Sequence, residues 1–213
     1  MVTPLGVHES QLSPDASAIE VHTTTGTVVV LRHAGAGDGD EVAALFLGGA
    51  IGGLSGPSGL YHRVAKRTGG FRVHYRQPGE LQECVADVLL LTALLERRGT
   101  ERVVLVGHSF GGAVAIAAGV AMEERCTGVV TLATQAPGAE RVGELHGPVL
   151  LVHGDRDGIL PADASRWVHE GASEPKELVI VPGEGHLFEG VVDALTERVT
   201  TFVDAALAPR DPP

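Results

Sequence analysis

The sequence predicts an α/β fold of three layers, in which helices cover both faces of a mostly parallel sheet. Short apolar runs typical of buried strands alternate with longer segments of helical spacing over most of the 213 residues. One such run, residues 102–106, passes through a glycine-containing turn into an apolar, small-residue helix. In a sheet of this kind, the ligand site is expected at the carboxyl ends of the strands.

Each predicted element follows from its residue pattern. A hairpin of two antiparallel strands is predicted at 18–22 and 27–33, with a polar turn after it at 35–40. The following apolar runs are typical of strands that are covered on both faces. Further strands are predicted at 42–47, 71–75, 102–106, 128–133, 149–152 and 177–181. Helices are predicted at 58–68, 80–98, 113–124 and 189–206, and one more helix is predicted to end at about residue 170.

Length and composition favour one globular domain. A chain of 213 residues, with 44% apolar and 20% charged residues, is long enough to bury a sizeable core. We expect a flexible lead-in at 1–17, a single domain at 18–207 and a frayed tail at 208–213.

The charge balance and the cysteines argue against several classes of protein. The formal net charge is −11 and the basic residues are scattered, so nucleic-acid or membrane partners are not expected. No apolar run approaches membrane-spanning length, and residues 1–17 lack the pattern of a secretory signal. Cys84 and Cys126 match no metal-binding spacing, so we expect two thiols in a cytoplasmic protein.

Ser109 occupies the turn between the strand at 102–106 and the helix that follows it. The turn reads Gly107-His108-Ser109-Phe110-Gly111. Glycines are expected two residues either side because a serine at this corner is strained and neighbouring Cβ atoms would collide. Ser109 also lies at a helix N-terminus, where unpaired N–H groups and the helix dipole favour a developing anion.

These residues resemble the nucleophile elbow of the α/β-hydrolase fold, and residues 19–206 follow that family's order of elements. The resemblance implies a small serine hydrolase of the carboxylesterase, thioesterase or dienelactone hydrolase type. In that family, a lid or cap is often inserted where residues 134–148 lie. This connection is too short for one, so little or no cap is expected.

The strand at 42–47 leads into the glycine-rich loop 48–53. In the resembled family this loop supplies an oxyanion donor, usually after a His-Gly pair, and here Gly48 stands where that histidine would be. The resemblance therefore implies that the oxyanion is bound by the backbone N–H group of Phe110 and by that of either Gly49 or Ala50. A phosphate-binding loop is disfavoured, because neither the dinucleotide nor the Walker spacing of glycines is present.

A serine hydroxyl needs a base, and the base needs an acid that fixes its tautomer. The chain order Ser109, Asp157, His186 is that of the resembled family. His186 lies in a Gly-His-x-Phe turn similar to the one that carries the base there. Asp157 is the fourth residue from Gly154, as in that family's acid loop, whereas Asp155 is expected to accept N–H bonds at the strand end.

The remaining histidines and aspartates are assigned structural roles. The side chain of His108 is expected to point away from that of Ser109, and His153 to pack beneath the acid loop. No His-x-x-x-His pattern or cysteine pair predicts zinc, and no cofactor is implied. Other aspartates are interpreted as solvated charges, helix caps or helix-surface residues: Asp15, Asp38, Asp87, Asp163 and Asp193.

The expected activity is hydrolysis of esters or thioesters of small acyl groups through an acyl-enzyme, in a monomer or homodimer. Acyl transfer, peptide cleavage and cofactor-free perhydrolysis on the same residues stay open as alternatives. A receptor that uses the fold without catalysis is a further alternative. The residues expected to line the acyl pocket are Ile51, Leu54, Tyr61, Leu160 and Leu187.

Overall fold

The computed structural model describes residues 2–34 and 41–208. The turn predicted at 35–40 and residues 209–213 of the predicted tail lie outside the described residues. The strands are β1 (Pro4–Ser13), β2 (Ala16–Thr23), β3 (Gly26–His33), β4 (Val42–Leu47), β5 (Gly70–His74), β6 (Arg102–His108), β7 (Cys126–Leu132), β8 (Val149–Gly154) and β9 (Lys176–Val181). The α-helices are α1 (Leu60–Thr68), α2 (Leu81–Glu96), α3 (Phe110–Met122), α4 (Asp163–Gly171) and α5 (Val192–Leu207).

The nine strands within residues 2–34 and 41–208 form one sheet in the order β1-β2-β3-β5-β4-β6-β7-β8-β9. The pairs from β1 to β3 and the β3–β5 pair are antiparallel. The remaining pairs, from β5 through β4 to β9, are parallel. The predicted mostly parallel sheet is therefore confirmed, with an antiparallel extension at its N-terminal edge.

Two apolar cores lie on opposite faces of the sheet. Successive residues of β4 alternate between them, with Leu45 and Leu47 in one core and Ala44 and Phe46 in the other. Helices α2, α3 and α4 contribute buried residues to the first core, and α1 and α5 to the second. This alternation explains the continuous apolar runs in the sequence and confirms the three-layer arrangement.

The flexible lead-in predicted over residues 1–17 is wrong for most of its length. Residues 4–13 form β1, which pairs antiparallel with β2 and sets Val7 opposite Val21. Every residue of β1 is exposed, so the strand is held by backbone hydrogen bonds and carries no apolar alternation. A strand that buries one face is recognised in the sequence by alternating apolar and polar residues, and β1 buries neither of its faces.

Helix α3 begins at Phe110, three residues earlier than predicted. Its first turn therefore includes Gly111 and Gly112, and packing requires glycine at both positions. A Cβ at Gly112 would overlap the Thr134 side chain, and one at Gly111 would overlap the carbonyl of Leu47. Glycine disfavours a helix by about 1 kcal/mol relative to alanine, so residue type alone does not favour a helix start at these two positions.

The connection between β7 and β8 carries no cap. Residues 133–148 include a single short 3-10 turn at Val142–Glu144 and otherwise run as loop. The prediction of a minimal cap is confirmed for this connection. Within residues 2–34 and 41–208, no helix combines the length and the apolar character needed to cross a membrane.

Asp87, predicted as a surface charge, is instead fully buried on α2. Its carboxylate accepts the side-chain Nε–H of Arg76 and, at 2.8 Å, the backbone N–H of the same residue. The Arg76 side chain is equally buried and also contacts Glu83 at 2.9 Å. Burial raises the pKa of Asp87, an effect that the Arg76 contacts partly offset. The helical period did not reveal this contact because the partner lies outside the helix.

Removing one member of this buried ion pair should destabilise the fold strongly. Asp87→Ala leaves the Arg76 guanidinium buried with Glu83 as its remaining ion-pair partner, and we expect the free energy of unfolding to fall by about 3 kcal/mol. Urea unfolding at neutral pH measures the loss. The control is Asp193→Ala, whose partner Arg63 is exposed, and it should cost less than about 1 kcal/mol. Equal, small losses in both variants would contradict a stabilising buried pair.

Candidate functional site

The turn from β6 into α3 holds Ser109 in a strained conformation, with φ 57° and ψ −123°. Its N–H donates to the carbonyl of Leu132 at 2.8 Å, which ties the turn to β7. A Cβ at Gly107 would overlap the carbonyl of Gly111, and a Cβ at Gly111 would overlap that of Gly48. The glycines are therefore required by the close approach of backbone to backbone around the serine.

The loop 48–53 folds against this turn. It closes through a 2.8 Å bond from the N–H of Gly52 to the carbonyl of Gly49, and the N–H of Gly53 donates to Nδ1 of His74 at 3.2 Å. A Cβ built on Gly49 would lie 3.8 Å from the Cβ of Ser109. The loop thus lies directly beside the serine.

Two backbone N–H groups near Ser109 have no acceptor among the described residues. Phe110 is the first residue of α3, so its N–H has no acceptor within the helix. Across the described part of the chain, no hydrogen bond is donated by the N–H of Phe110 or Ala50, whereas Gly49 pairs with Gly52 in an isolated antiparallel bridge. Unpaired N–H groups at a helix N-terminus are suited to binding an anion.

Asp157 follows β8, and its side chain is fully buried. Its Oδ2 lies 2.7 Å from Nδ1 of His186, and its Oδ1 accepts the N–H groups of Ile159 at 2.8 Å and Leu160 at 2.9 Å. Burial alone would raise the pKa of Asp157. The bonds from Leu160, His186 and Ile159 outweigh burial and hold that pKa below its ordinary value, so the group is a carboxylate at neutral pH.

His153 lies beneath this carboxylate and is also fully buried. Its Nε2 is 3.1 Å from the carbonyl of Leu160 and 3.2 Å from Oδ2 of Asp157, and its Nδ1 is 2.7 Å from Oγ of Ser165. A carbonyl can only accept, so Nε2 carries the proton and the Ser165 hydroxyl donates to Nδ1. Burial lowers the pKa of His153, which keeps the ring neutral.

The neighbouring Asp155 is occupied elsewhere. Its Oδ1 accepts the N–H of Gly183 at 2.6 Å, which fastens the loop after β8 to the loop after β9. The structure therefore pairs Asp157, and not Asp155, with His186.

His186 lies in the loop between β9 and α5, with its side chain 10% exposed. Phe188 anchors this loop in the core, and the Ser58 hydroxyl donates to the carbonyl of Leu187 at 2.7 Å. Ser109 and His186 line one cavity, although no hydrogen bond joins these two residues in the described structure. Hydrogen bonds between catalytic groups are often long until a substrate is bound.

The side chain of His108 is directed at the loop of His186, and the residue also lines the cavity. Its Nε2 lies 3.0 Å from the backbone carbonyl of His186, and the two rings pack with centroids 4.7 Å apart. Burial lowers the pKa of His108 to about 4, so its ring is neutral at neutral pH.

The cavity has a volume of about 470 Å³, within the range of small-molecule sites. Of the residues predicted to line it, Ile51, Leu54 and Leu187 do so. Ile51 is 95% exposed at the tip of loop 48–53, and Ile159, which the sequence did not suggest, is 69% exposed on the opposite side. The mouth of the cavity therefore carries exposed apolar side chains.

Two of the predicted lining residues are wrong. Tyr61 is fully buried, and its hydroxyl donates to the carbonyl of Leu47 at 2.7 Å, so it supports β4 and does not reach the cavity. Leu160 serves the acid loop through its backbone, while its neighbour Ile159 faces the cavity. The direction of a side chain in an irregular loop depends on backbone angles that residue type does not fix.

His153 lies beneath the acid loop, as the sequence analysis expected, and contacts Asp157, four residues further along the chain. The contact of His108 was not predicted. The bond from His108 to His186 spans 78 residues, and no local pattern indicates it.

Comparison with known proteins gives a family match over slightly more than half of the chain. A model described as the alpha/beta hydrolase family matches residues 81–191, a range that includes Ser109, Asp157 and His186. The chain is also 40% identical over 70 residues to the uncharacterized protein Rv2307c of Mycobacterium tuberculosis. That alignment covers 30% of this chain and 25% of the relative, so the chain matches about a quarter of the relative's length.

Two solved structures are similar over nearly the whole chain. The dienelactone hydrolase of Anabaena variabilis superposes with a TM-score of 0.78 at 17% identity, covering 95% of this chain and 99% of that one. XC6422 of Xanthomonas campestris, described as an a/b serine hydrolase without lid, gives a TM-score of 0.71 at 20% identity. Its alignment covers 95% of this chain and all of the other. At identities this low, the superpositions establish that the fold is shared.

Proposed function

The chain belongs to the alpha/beta hydrolase family, and from this membership we propose that it is a serine hydrolase of small acyl esters or thioesters. Membership supports hydrolase activity in general. The observation that carries the finer proposal is the cavity at which a strained serine, Ser109, and a carboxylate-bound histidine, His186, meet. A serine beside a base that an acid orients is the arrangement required for nucleophilic catalysis.

In the proposed first step, Oγ of Ser109 attacks the carbonyl carbon of the substrate as Nε2 of His186 takes its proton. Asp157 accepts the Nδ1–H of His186, so the tautomer leaves a lone pair on Nε2. The developing oxyanion is bound by the N–H of Phe110 and by that of Gly49 or Ala50. Fixed donors aimed at such charge are worth several kcal/mol of barrier.

The tetrahedral intermediate collapses by breaking the bond to the leaving group. His186 gives its proton to the departing alkoxide or thiolate, which leaves as an alcohol or thiol, and the acyl group remains on Ser109. Water then attacks this acyl-enzyme, with His186 again acting as base. The carboxylic acid is released and the Ser109 hydroxyl is restored.

Small acyl groups are proposed because the connection 133–148, where a cap would be inserted, forms none. Residues 133–148 are loop apart from one short turn, and the similar XC6422 is described as a serine hydrolase without lid. A long chain would leave the cavity and lie over the exposed Ile51 and Ile159. Little of its surface would be removed from water there.

Replacing the proposed nucleophile should abolish turnover without unfolding the protein. We expect Ser109→Ala to lower kcat by about 10⁴-fold or more, because no attacking oxygen remains on the elbow. Initial rates on a soluble short-chain ester measure this, with the melting temperature as a check on folding. The control Ser10→Ala, on the exposed β1, should keep the full rate; a Ser109→Ala enzyme that keeps most of its activity would exclude the assignment.

The two neighbouring aspartates should differ sharply. Asp157→Asn keeps the side-chain shape but favours the wrong tautomer of His186, so kcat should fall by about 10⁴-fold. Asp155→Asn retains an oxygen that can accept the N–H of Gly183, so its loss should stay below about tenfold. Circular dichroism confirms that both variants are folded before rates are compared. A greater loss at Asp155 than at Asp157 would overturn the choice of acid.

Acyl-chain length should be discriminated in favour of short chains. We expect acetyl and butanoyl esters to give a higher kcat/KM than long-chain esters, since the open cavity buries little of a long chain. The rate should also show no jump when the substrate concentration passes the point of micelle formation, because no lid has to open. A series of esters of one alcohol measures both effects; faster turnover of emulsified long-chain lipid would contradict the size limit.

A further inference from the structure

His108 joins two segments that must meet for the proposed chemistry. It precedes Ser109 in the elbow, is 8% exposed, and its Nε2 reaches the backbone carbonyl of His186 at 3.0 Å. One hydrogen bond, from the side chain next to Ser109 to the main chain of His186, therefore links the segment of the proposed nucleophile to that of the proposed base. A bond at this position limits how far the loop of His186 can move from the elbow.

The direction of this bond is fixed by its chemistry. The carbonyl of His186 can only accept, so Nε2 of His108 carries a hydrogen and Nδ1 does not. A neutral ring also suits its place, because His186 becomes an imidazolium when it takes the proton of Ser109. A second positive charge in a packed ring 4.7 Å away would oppose that transfer.

The ring of His108 also restrains the ring of His186. The bond to Asp157 fixes Nδ1 of His186 but leaves the imidazole free to swing about that contact. The packed ring of His108, inclined by 51°, closes one side of that swing. The ring of His186 is thereby restrained at the cavity that Ser109 also lines.

Other contacts hold the same loop at different points. Ser58 donates to the carbonyl of Leu187, and the N–H of Arg156 donates to the carbonyl of Glu184 at 2.9 Å. Among the hydrogen bonds of the described residues, only that of His108 reaches the carbonyl of His186 itself. Apart from the bond of the ring itself to Asp157, the restraint closest to the imidazole thus comes from the elbow.

We infer that His108 is a positioning residue that holds the imidazole of His186 at the distance and angle needed to take the proton of Ser109. This inference rests on the proposed function. His108 acts through His186 and touches neither the substrate carbonyl nor the transferred proton. Its contribution belongs to the chemical step, so kcat should respond to its loss and KM should not.

Two amide variants, both without the imidazole ring, separate the hydrogen bond from the ring packing. His108→Gln places an N–H donor at about the reach of Nε2, whereas His108→Asn offers the same amide one methylene shorter, out of reach of the carbonyl. We expect His108→Asn to lose about tenfold or more in kcat with KM within about twofold, and His108→Gln to stay within about threefold of wild type. His146→Phe, at an exposed histidine of the 133–148 connection, is the control and should not change kcat.

A second measurement is independent of turnover. The Nδ1 proton of His186, bound to Asp157, should give a low-field proton NMR resonance in wild type and in His108→Gln. In His108→Asn it should be lost to exchange, because the imidazole is no longer restrained. Should His108→Asn fail to fold, His108→Phe, which keeps a ring but no donor, takes its place and should likewise lose kcat and the resonance.

An unchanged kcat and resonance in the folded donor-less variant would overturn the inference. A loss in His108→Gln equal to that in His108→Asn would also overturn it, because the donor would then not be the cause. A wild type that gives the resonance, with the expected changes in the variants, but hydrolyses no ester would count against the proposed function and not against the restraint.

Discussion

The turn from β6 into α3 leaves no space for a Cβ atom at Gly107 or Gly111, and the rest of the site is arranged around that constraint. Because these glycines allow backbone to approach backbone, the loop 48–53 can lie against the elbow. Ser109, at the turn itself, adopts a strained backbone conformation with φ 57°, and the N–H of its neighbour Phe110 is unpaired among the described residues. One steric condition therefore positions the serine and its nearest anion-binding group together.

The second half of the site is organised by a buried carboxylate. The carboxylate of Asp157 accepts hydrogen bonds from Nδ1–H of His186 and from two backbone N–H groups. Nε2 of His153 lies 3.2 Å from Oδ2 of the same carboxylate. A buried charge is tolerated only when such partners are present. These contacts fix the acid loop, and through the acid loop they fix the ring of His186. The parallel strands deliver all of these loops to one edge of the sheet, so residues far apart in sequence share one cavity.

The sequence predicts most of this architecture because the buried strands have a strong signal. Continuous apolar runs identify β4, β6, β7 and β8, and the chain order of Ser109, Asp157 and His186 suggests which polar residues to consider. Exposed elements carry no such signal, so β1 was missed. Residue type alone also does not favour the observed start of α3, because glycine disfavours helix in general but is required there by packing.

Long-range side-chain contacts form the part that residue patterns do not encode. Tyr61 appeared available to the cavity but is buried under β4, while Ile159 faces the cavity from a loop of irregular backbone. The bond from His108 to His186 depends on how two loops meet, which only the folded chain determines. Asp87 is a similar case, since its partner Arg76 follows a strand and gives no periodic pattern on α2.

The central claim is that Ser109 carries the acyl group during turnover. Mass spectrometry of protein quenched by acid during the hydrolysis of an excess of a short-chain thioester tests it directly. The account predicts an adduct of one acyl group per chain, located by peptide mapping on Ser109 and absent after the substrate is exhausted. Catalytic hydrolysis with the adduct on another residue, or a fluorophosphonate that inactivates the enzyme while labelling a different side chain, would contradict it.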